Sequence, residues 1–185
     1  MRAAQVRFLA QGVDDTSAEQ IAADAGVSLR TFYRHFASKH ELLFGDYEAS
    51  LQWFRAALES RPRDESVIDA VLAANQSFPF DAEAMFAIAS LRASELDQVQ
   101  VERHTQQVQG ELAWAVEQFL VRQSEPADDD SRFAVLVEAR CIAAAVFAAV
   151  DTWMRGPHAD LDELTRLTER ALRSLLSGIV PSDPA

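Results

Sequence analysis

The 185-residue sequence has few residues that form cross-links or interrupt helices: it has one cysteine, six glycines and six prolines. A lone cysteine, Cys141, excludes a disulfide within the chain and is typical of a protein of the reducing cytosol. No run of about 18 apolar residues indicates a membrane-spanning helix. Arg7 and Gln11 interrupt the N-terminal stretch, which therefore lacks the pattern of a signal peptide. These shortages predict a soluble, cytoplasmic protein that contacts no membrane.

Strand patterns are also missing. No segment combines β-branched and aromatic residues with period-two alternation, so an all-α fold is expected. Glycine- and proline-containing breaks, with an acidic loop over residues 124–131, divide the chain into about nine helices. Three of these helices fall within the first 36 residues. The prediction is an N-terminal three-helix domain over residues 1–45 and a C-terminal helical bundle over residues 46–180.

Positive charge is scarce and unevenly placed. The chain carries 29 acidic and 17 basic side chains, a formal net charge of −12, and Lys39 is its only lysine. Such an acidic protein is not expected to coat nucleic acid non-specifically, because that requires a broadly basic surface. Residues 25–40 nevertheless contain no Asp or Glu. This acid-free segment is where a polyanion could approach the protein.

The same segment has the pattern of a helix-turn-helix. Thr16 and Glu19 have the spacing of a capping box that starts a short helix, and Gly26 ends it. Ser28 can cap the next helix, which runs to about residue 36. A second capping box, Ser38 with Glu41, is expected to open a long helix that ends near residue 61. A short helix, a glycine-containing turn and a second short helix form the motif that places its second helix in the major groove.

The second helix of this motif has one apolar and one polar face. Phe32 and Phe36 are four residues apart and should face inward. Arg30 and Arg34 then share the outward edge, beside Thr31, Tyr33 and His35. Exposed Arg, Thr, Tyr and His without a carboxylate are suited to DNA, because arginine reads guanine and the others can bind phosphate.

The stretch "TSAEQIAADAGVSLRTFYRHFASKHELL" resembles the DNA-binding domain of the TetR family of bacterial transcriptional regulators. The resemblance covers residues 3–45. It implies that Ser28, at the start of the recognition helix, is one of the DNA-binding residues and that Leu29, Arg30 and Arg34 face base edges. The phosphate contacts that it implies are Thr16, Ser17, Thr31, Tyr33, His35 and Lys39. The family's basic N-terminal arm is not seen before the first helix, so the arm either precedes Met1 or is not used.

The resemblance also implies a C-terminal region that binds a small effector. Aromatic and sulfur-containing side chains recur along the corresponding helices and suggest an apolar cavity for a lipophilic or acyl-type ligand. The candidate effector contacts are Trp53, Phe54, Phe78, Met85, Phe86, Arg92, Trp114 and Phe147.

Two segments near the C-terminus favour a homodimer. The run "ARCIAAAVFAAV" offers small residues that permit close helix packing. The segment "LDELTRLTERALRSLLSGI" carries leucines on more than one stripe. A helix that is apolar over so wide an arc needs cover on two sides, which its own subunit and a partner would supply.

The expected function is a homodimeric regulator, by default a repressor, that binds double-stranded operator DNA as an inverted repeat and is released by its effector. The open alternatives are an activator, and a ligand-binding module with little specific DNA binding. No phosphate-binding glycine loop, His-Glu zinc motif or Glu-x-x-His pair suggests an enzyme, so no catalytic residue, metal or cofactor is predicted.

Overall fold

A computed structural model describes residues 2–79, 81–156 and 160–177 of the chain. The described residues form helices and no strands, which confirms the all-α prediction. A 3₁₀ segment, Lys39–Phe44, precedes the fourth of the nine α-helices formed by the described residues. The α-helices are α1 Arg2–Gln11, α2 Ala18–Asp24, α3 Leu29–His35, α4 Gly45–Glu59, α5 Val67–Gln76, α6 Ala82–Glu95, α7 Gln98–Ser124, α8 Asp129–Met154 and α9 Leu161–Ser177.

The chain divides into two compact units. The first comprises Met1–Ala49 and Asp81–Thr105, and the second comprises Ser50–Phe80 and Gln106–Ala185. Helix α6 therefore belongs with the N-terminal helices, although the sequence-based division placed it in the C-terminal region. The functional division at residues 45 and 46 stays a prediction.

The first unit is built on a small apolar core. Helix α1 buries Ala4 and Phe8, four residues apart, and α3 contributes Phe32. Leu91 and Leu96, from α6 and the residue that ends it, pack against this core. The remaining buried members of the cluster are Val13, Ala18, Ile21, Ala22, Leu42 and Leu43.

The second unit has its core between its longest helices. Helix α9 packs on α8 and α5, and it buries Leu164, Leu167 and Leu172 within the unit. The large apolar side chains that stay exposed on α8 are Phe133 and Val137, at 66% and 42%. The uncovered apolar surface of this helix pair therefore includes one face of α8.

Helix α8 is long and apolar enough to cross a membrane by length and composition alone. A core helix of a soluble protein meets the same criterion, so one such helix is weak evidence for a membrane span. The residues of α8 buried within the protein are Val135, Ala139, Ile142, Ala143, Ala145, Val146, Ala149 and Trp153.

Both predicted capping boxes are wrong. Helix α2 is capped by Ser17, whose Oγ accepts from Gln20 N at 3.2 Å while Gln20 Oε1 accepts from Ser17 N at 2.9 Å. Thr16 is fully buried, its hydroxyl donates to the Gly12 carbonyl at 2.7 Å, and the cap of α2 is the next residue. Ser38 makes no side-chain cap, and a 3₁₀ segment separates it from α4.

Candidate nucleic-acid interface and effector region

The conformation of the turn between α2 and α3 depends on a glycine and on one backbone hydrogen bond. Gly26 has φ +68°, a left-handed conformation that non-glycine residues rarely adopt. The amide of Val27 donates back to the Ala22 carbonyl at 2.9 Å. Ser28 then starts α3, since its Oγ accepts from Thr31 N at 3.1 Å. The predicted cap and turn of the recognition helix are confirmed.

Helix α3 separates its apolar side chains from its polar ones. Phe32 is buried, and Phe36 and Leu29 are partly buried against the core. Because Leu29 packs inward, only part of its side chain remains for the predicted base contact. The exposed residues of α3 are Arg30, Tyr33, Arg34 and His35, and Thr31 is half-buried.

The outward face of α3 is positive. No ion pair found among the described residues involves Arg30 or Arg34. Arg34 Nη2 lies 3.3 Å from His35 Nε2, on the same exposed surface. Two guanidinium groups without a paired carboxylate are available to an incoming phosphate or guanine.

The negative charge of an acidic residue close to this surface is balanced by an arginine. Asp24 ends α2 and forms a bidentate ion pair with Arg7 of α1, with 2.9 Å between Arg7 Nη2 and Asp24 Oδ1. The hydrogen bond from Arg7 lowers the pKa of Asp24. The carboxylate is thus ionised at neutral pH, with a compensating cation beside it.

Two of the predicted phosphate contacts have partners inside the protein. The Thr16 side chain is buried, as described above. Lys39 Nζ donates to the backbone carbonyls of Val13 at 2.6 Å, Asp14 at 3.2 Å and Thr16 at 2.9 Å. This arrangement gives Lys39 a structural role in the free protein, and its predicted phosphate contact stays a prediction. Ser17, by contrast, is exposed beside α2.

Arg92, a predicted effector contact, has partners within the first unit, and its contact with an effector stays a prediction. It is buried in the first unit and forms a bidentate ion pair with Asp46, with 2.7 Å between Nη1 and Oδ1 and 3.2 Å between Nη2 and Oδ2. Nη1 also donates to the Leu43 carbonyl at 2.8 Å. Its guanidinium also lies 4.4 Å from the centre of the Tyr47 ring. Asp46 could not be predicted from the sequence as a partner of Arg92, because no local pattern links it to an arginine 46 residues later.

The other predicted effector residues fall in both units. In the second unit Trp53 and Phe78 come together, with ring centroids 6.0 Å apart, and Trp53 Nε1 donates to Ser77 Oγ at 2.9 Å. Trp114 is exposed, and the Arg55 guanidinium lies over its ring, with 5.4 Å between Arg55 Cζ and the ring centroid. Phe54 is buried and Phe147 half-buried in the second unit, while Met85 and Phe86 are half-buried on α6 of the first.

Two of the concave sites formed by the described residues lie in the second unit. One is a cavity of about 30 Å³, room for a water molecule, lined by Arg55, Leu58, Glu59, Trp114, Ala115, Gln118 and Arg122. The other is an open cleft of about 470 Å³ lined by Glu117, Val121, Glu125, Pro126, Arg132 and Val135. Of the predicted effector residues, Trp114 alone lines either site.

Comparisons with known proteins agree with this geometry. The family model of the bacterial regulatory proteins of the tetR family matches residues 1–45. The chain is 32% identical over 191 residues to the HTH-type transcriptional regulator TcmR of Streptomyces glaucescens, covering 95% of this chain and 80% of that protein.

Among solved structures, the fold is similar to that of Thermus thermophilus FadR, a TetR family transcriptional repressor crystallised with lauroyl-CoA. The TM-score is 0.61 at 22% sequence identity, over 100% of this chain and 95% of that one. At this identity the likeness concerns the fold.

Proposed function

The chain belongs to the TetR family of bacterial transcriptional regulators, and on that premise we propose that it represses transcription by binding an inverted-repeat operator as a homodimer. One observation carries the proposal. Helix α3 is held by a buried Phe32 and presents Arg30 and Arg34 on its exposed side, and no carboxylate of the described residues is paired to either. An acid-free, arginine-bearing helix on an otherwise acidic protein is suited to selective contact with DNA.

The exposed and half-buried polar side chains of α3, together with Ser17 before α2, have proposed roles. Arg30 and Arg34 read base edges in the major groove, where arginine pairs with guanine O6 and N7. Tyr33, His35, Thr31 and Ser17 bind phosphate and set the register of the helix on the duplex. In a dimer, two such helices enter successive major grooves about 34–36 Å apart, which requires an inverted repeat.

The proposed dimer uses the exposed face of α8. Phe133, Val137 and Cys141 recur at four-residue spacing and are exposed in the single chain, and Ala144 and Ala148 continue the same face. A contiguous exposed apolar face is typical of a surface that binds another protein. A second copy packed against α8 would cover it, in an interface of about 2,000 Å² or more.

The proposed effector is a small lipophilic or acyl-type molecule that binds the C-terminal region and releases the protein from DNA. Two features support this choice: Thermus FadR, which shares the fold, was solved with lauroyl-CoA, and Trp53 and Phe78 form an aromatic pair in the second unit. Release requires the effector to bind the DNA-free form more tightly than the DNA-bound form. Lauroyl-CoA added to the protein–operator complex is the first test compound, with free coenzyme A as the control that lacks the acyl chain.

Selection of randomised duplex DNA by the purified protein at near-physiological salt tests the proposal. We expect enrichment of an inverted repeat whose half-sites are about one helical turn apart. Failure to enrich any sequence at any salt concentration would contradict specific operator binding and favour a ligand-binding module. A reporter gene placed downstream of the recovered site then distinguishes repression from activation.

A further inference from the structure

Lys39 lies beside the proposed DNA surface, yet its ammonium points into the protein. It is the only lysine of the chain, and it is the first residue of the 3₁₀ segment. Its three hydrogen bonds go to carbonyls of the turn between α1 and α2, as many as 26 residues earlier in the chain. An ammonium group has three N–H donors and no acceptor. All three are used within the protein.

The turn that receives these bonds is fully hydrogen-bonded on its carbonyl side. Residues 12–16 have five backbone carbonyls, and the Lys39 ammonium donates a hydrogen bond to three of them. The remaining two accept from other side chains, Gly12 from Thr16 Oγ1 at 2.7 Å and Asp15 from Gln11 Nε2 at 2.7 Å. Removing the ammonium would take this donor from the Asp14 and Thr16 carbonyls, which is unfavourable in a partly buried turn. The Val13 carbonyl would keep only the bond from the Thr16 amide, at 3.2 Å.

The turn also determines where α2 begins. Val13 and Thr16 are buried, with 1% and 0% exposure. Ser17 follows directly and caps α2 through its reciprocal bonds with Gln20. Helix α3 packs on α2, so the position of the turn is passed on to the recognition helix.

We propose that Lys39 is a positioning residue for DNA binding: it holds the α1–α2 turn, and through it α2 and α3, without contacting phosphate. The effect on DNA rests on the operator binding proposed above, whereas the ammonium clamp itself is a property of the free protein. The two can therefore be tested separately.

The clamp is tested first on the unaltered chain without DNA. Because the chain has one lysine, acetylation by an N-hydroxysuccinimide ester followed by peptide mass spectrometry reports the Lys39 ε-amine separately from the terminal amine. We expect acetylation in the folded protein to be at least about tenfold slower than in the same chain unfolded in guanidinium chloride, because the amine reacts only when the turn opens. Equal rates in the folded and unfolded chain, with protection appearing only after operator is added, would overturn the proposal.

The effect on DNA is tested by salt titration of Lys39→Met, which keeps the aliphatic stem and removes the charge. We expect weaker operator binding at every salt concentration with the wild-type slope of log K against log salt. A lost phosphate contact would instead flatten the slope by about 0.9 for each contact.

The two experiments distinguish failure of the positioning role from failure of the proposed function. A flattened slope for Lys39→Met contradicts the positioning role. Slow acetylation without any operator binding leaves the clamp intact and contradicts the proposed function. Circular dichroism of Lys39→Met shows whether the variant folds, and if it does not, the acetylation rates of the unaltered protein decide alone.

Discussion

Arg92 shows how a single side chain can hold separate parts of one unit together. Its side chain and that of Asp46 are only 4% and 9% exposed. A buried charge of this kind is tolerated because its partner and further hydrogen bonds replace the lost water. Here the bidentate carboxylate, the Leu43 carbonyl and the Tyr47 ring supply those contacts, so α6 is tied to the 3₁₀ segment and to the start of α4.

Replacing Arg92 with methionine should lower the free energy of unfolding by about 3–5 kcal/mol, since the Asp46 carboxylate would be left buried without its cation. Denaturant unfolding followed by circular dichroism measures the change. Arg166→Met is the matched control: Arg166 pairs with Glu163 on the surface, at 66% and 47% exposure, and its loss should change stability by at most about 1 kcal/mol. Equal effects of the two substitutions would show that the buried pair has no special role.

At the scale of the elements, the helix-turn-helix could be predicted because its signals are local. Ser28, Gly26 and the Phe32–Phe36 spacing each act within a few residues, and all three appear in the structure as expected. The start of α2 was misplaced by one residue, because Thr16 and Ser17 can both cap a helix. Only the burial of Thr16, a consequence of tertiary packing, decides between them.

Contacts between distant residues could not be predicted from spacing. Lys39 reaches carbonyls 23–26 residues away, and Arg92 reaches an acid 46 residues away. The 3₁₀ segment was missed for a related reason: Ser38 and Glu41 fit a capping box, but Glu41 Oε2 instead accepts from the Ala37 amide at 3.0 Å. The family pattern located the DNA-binding helix but not the interactions that support it.

The turn of the motif depends on Gly26. Its φ of +68° is unfavourable for a residue with a Cβ, although no atom lies within 4 Å of the position that a Cβ would take. Gly26→Ala should therefore destabilise the protein by about 1–2 kcal/mol through backbone strain alone. Thermal and denaturant unfolding measure the change.

Gly110→Ala is the matched control for this substitution. Gly110 also has open space around its missing Cβ, but it lies within α7 without a positive φ. Alanine there should stabilise the protein by about 0.5–1 kcal/mol, because glycine is a poor helix former. If both substitutions shifted stability in the same direction, backbone conformation would not explain the need for glycine at position 26.

At the scale of the whole molecule, the uneven distribution of charge fits the proposal that DNA contacts one segment only. The chain is strongly acidic, with a net charge of −12, yet residues 25–40 contain no acid. Negative charge elsewhere opposes non-specific adhesion to nucleic acid and leaves α3 as the surface that DNA can approach. We therefore expect weak binding to non-operator DNA.

The proposed dimer predicts that Val137→Asp separates the subunits. The substitution places a carboxylate on the exposed apolar face of α8, where a partner would bury it without a counter-ion. Sedimentation at micromolar concentration should show about twice the 20.5 kDa chain mass for the wild type and a single-chain mass for the variant. Val99→Asp, at an exposed valine on α7, is the control and should leave the mass unchanged.

The claim that α3 reads sequence is tested most directly by the affinity of wild type and Arg34→Ala for the selected operator and for duplexes changed at one base pair at a time. We predict that Arg34→Ala weakens operator binding by about 1–3 kcal/mol per half-site and loses preference at one base pair in each half-site, with discrimination kept at the others. An unchanged affinity and an unchanged base preference would contradict the assignment of α3 as the element that recognises the operator.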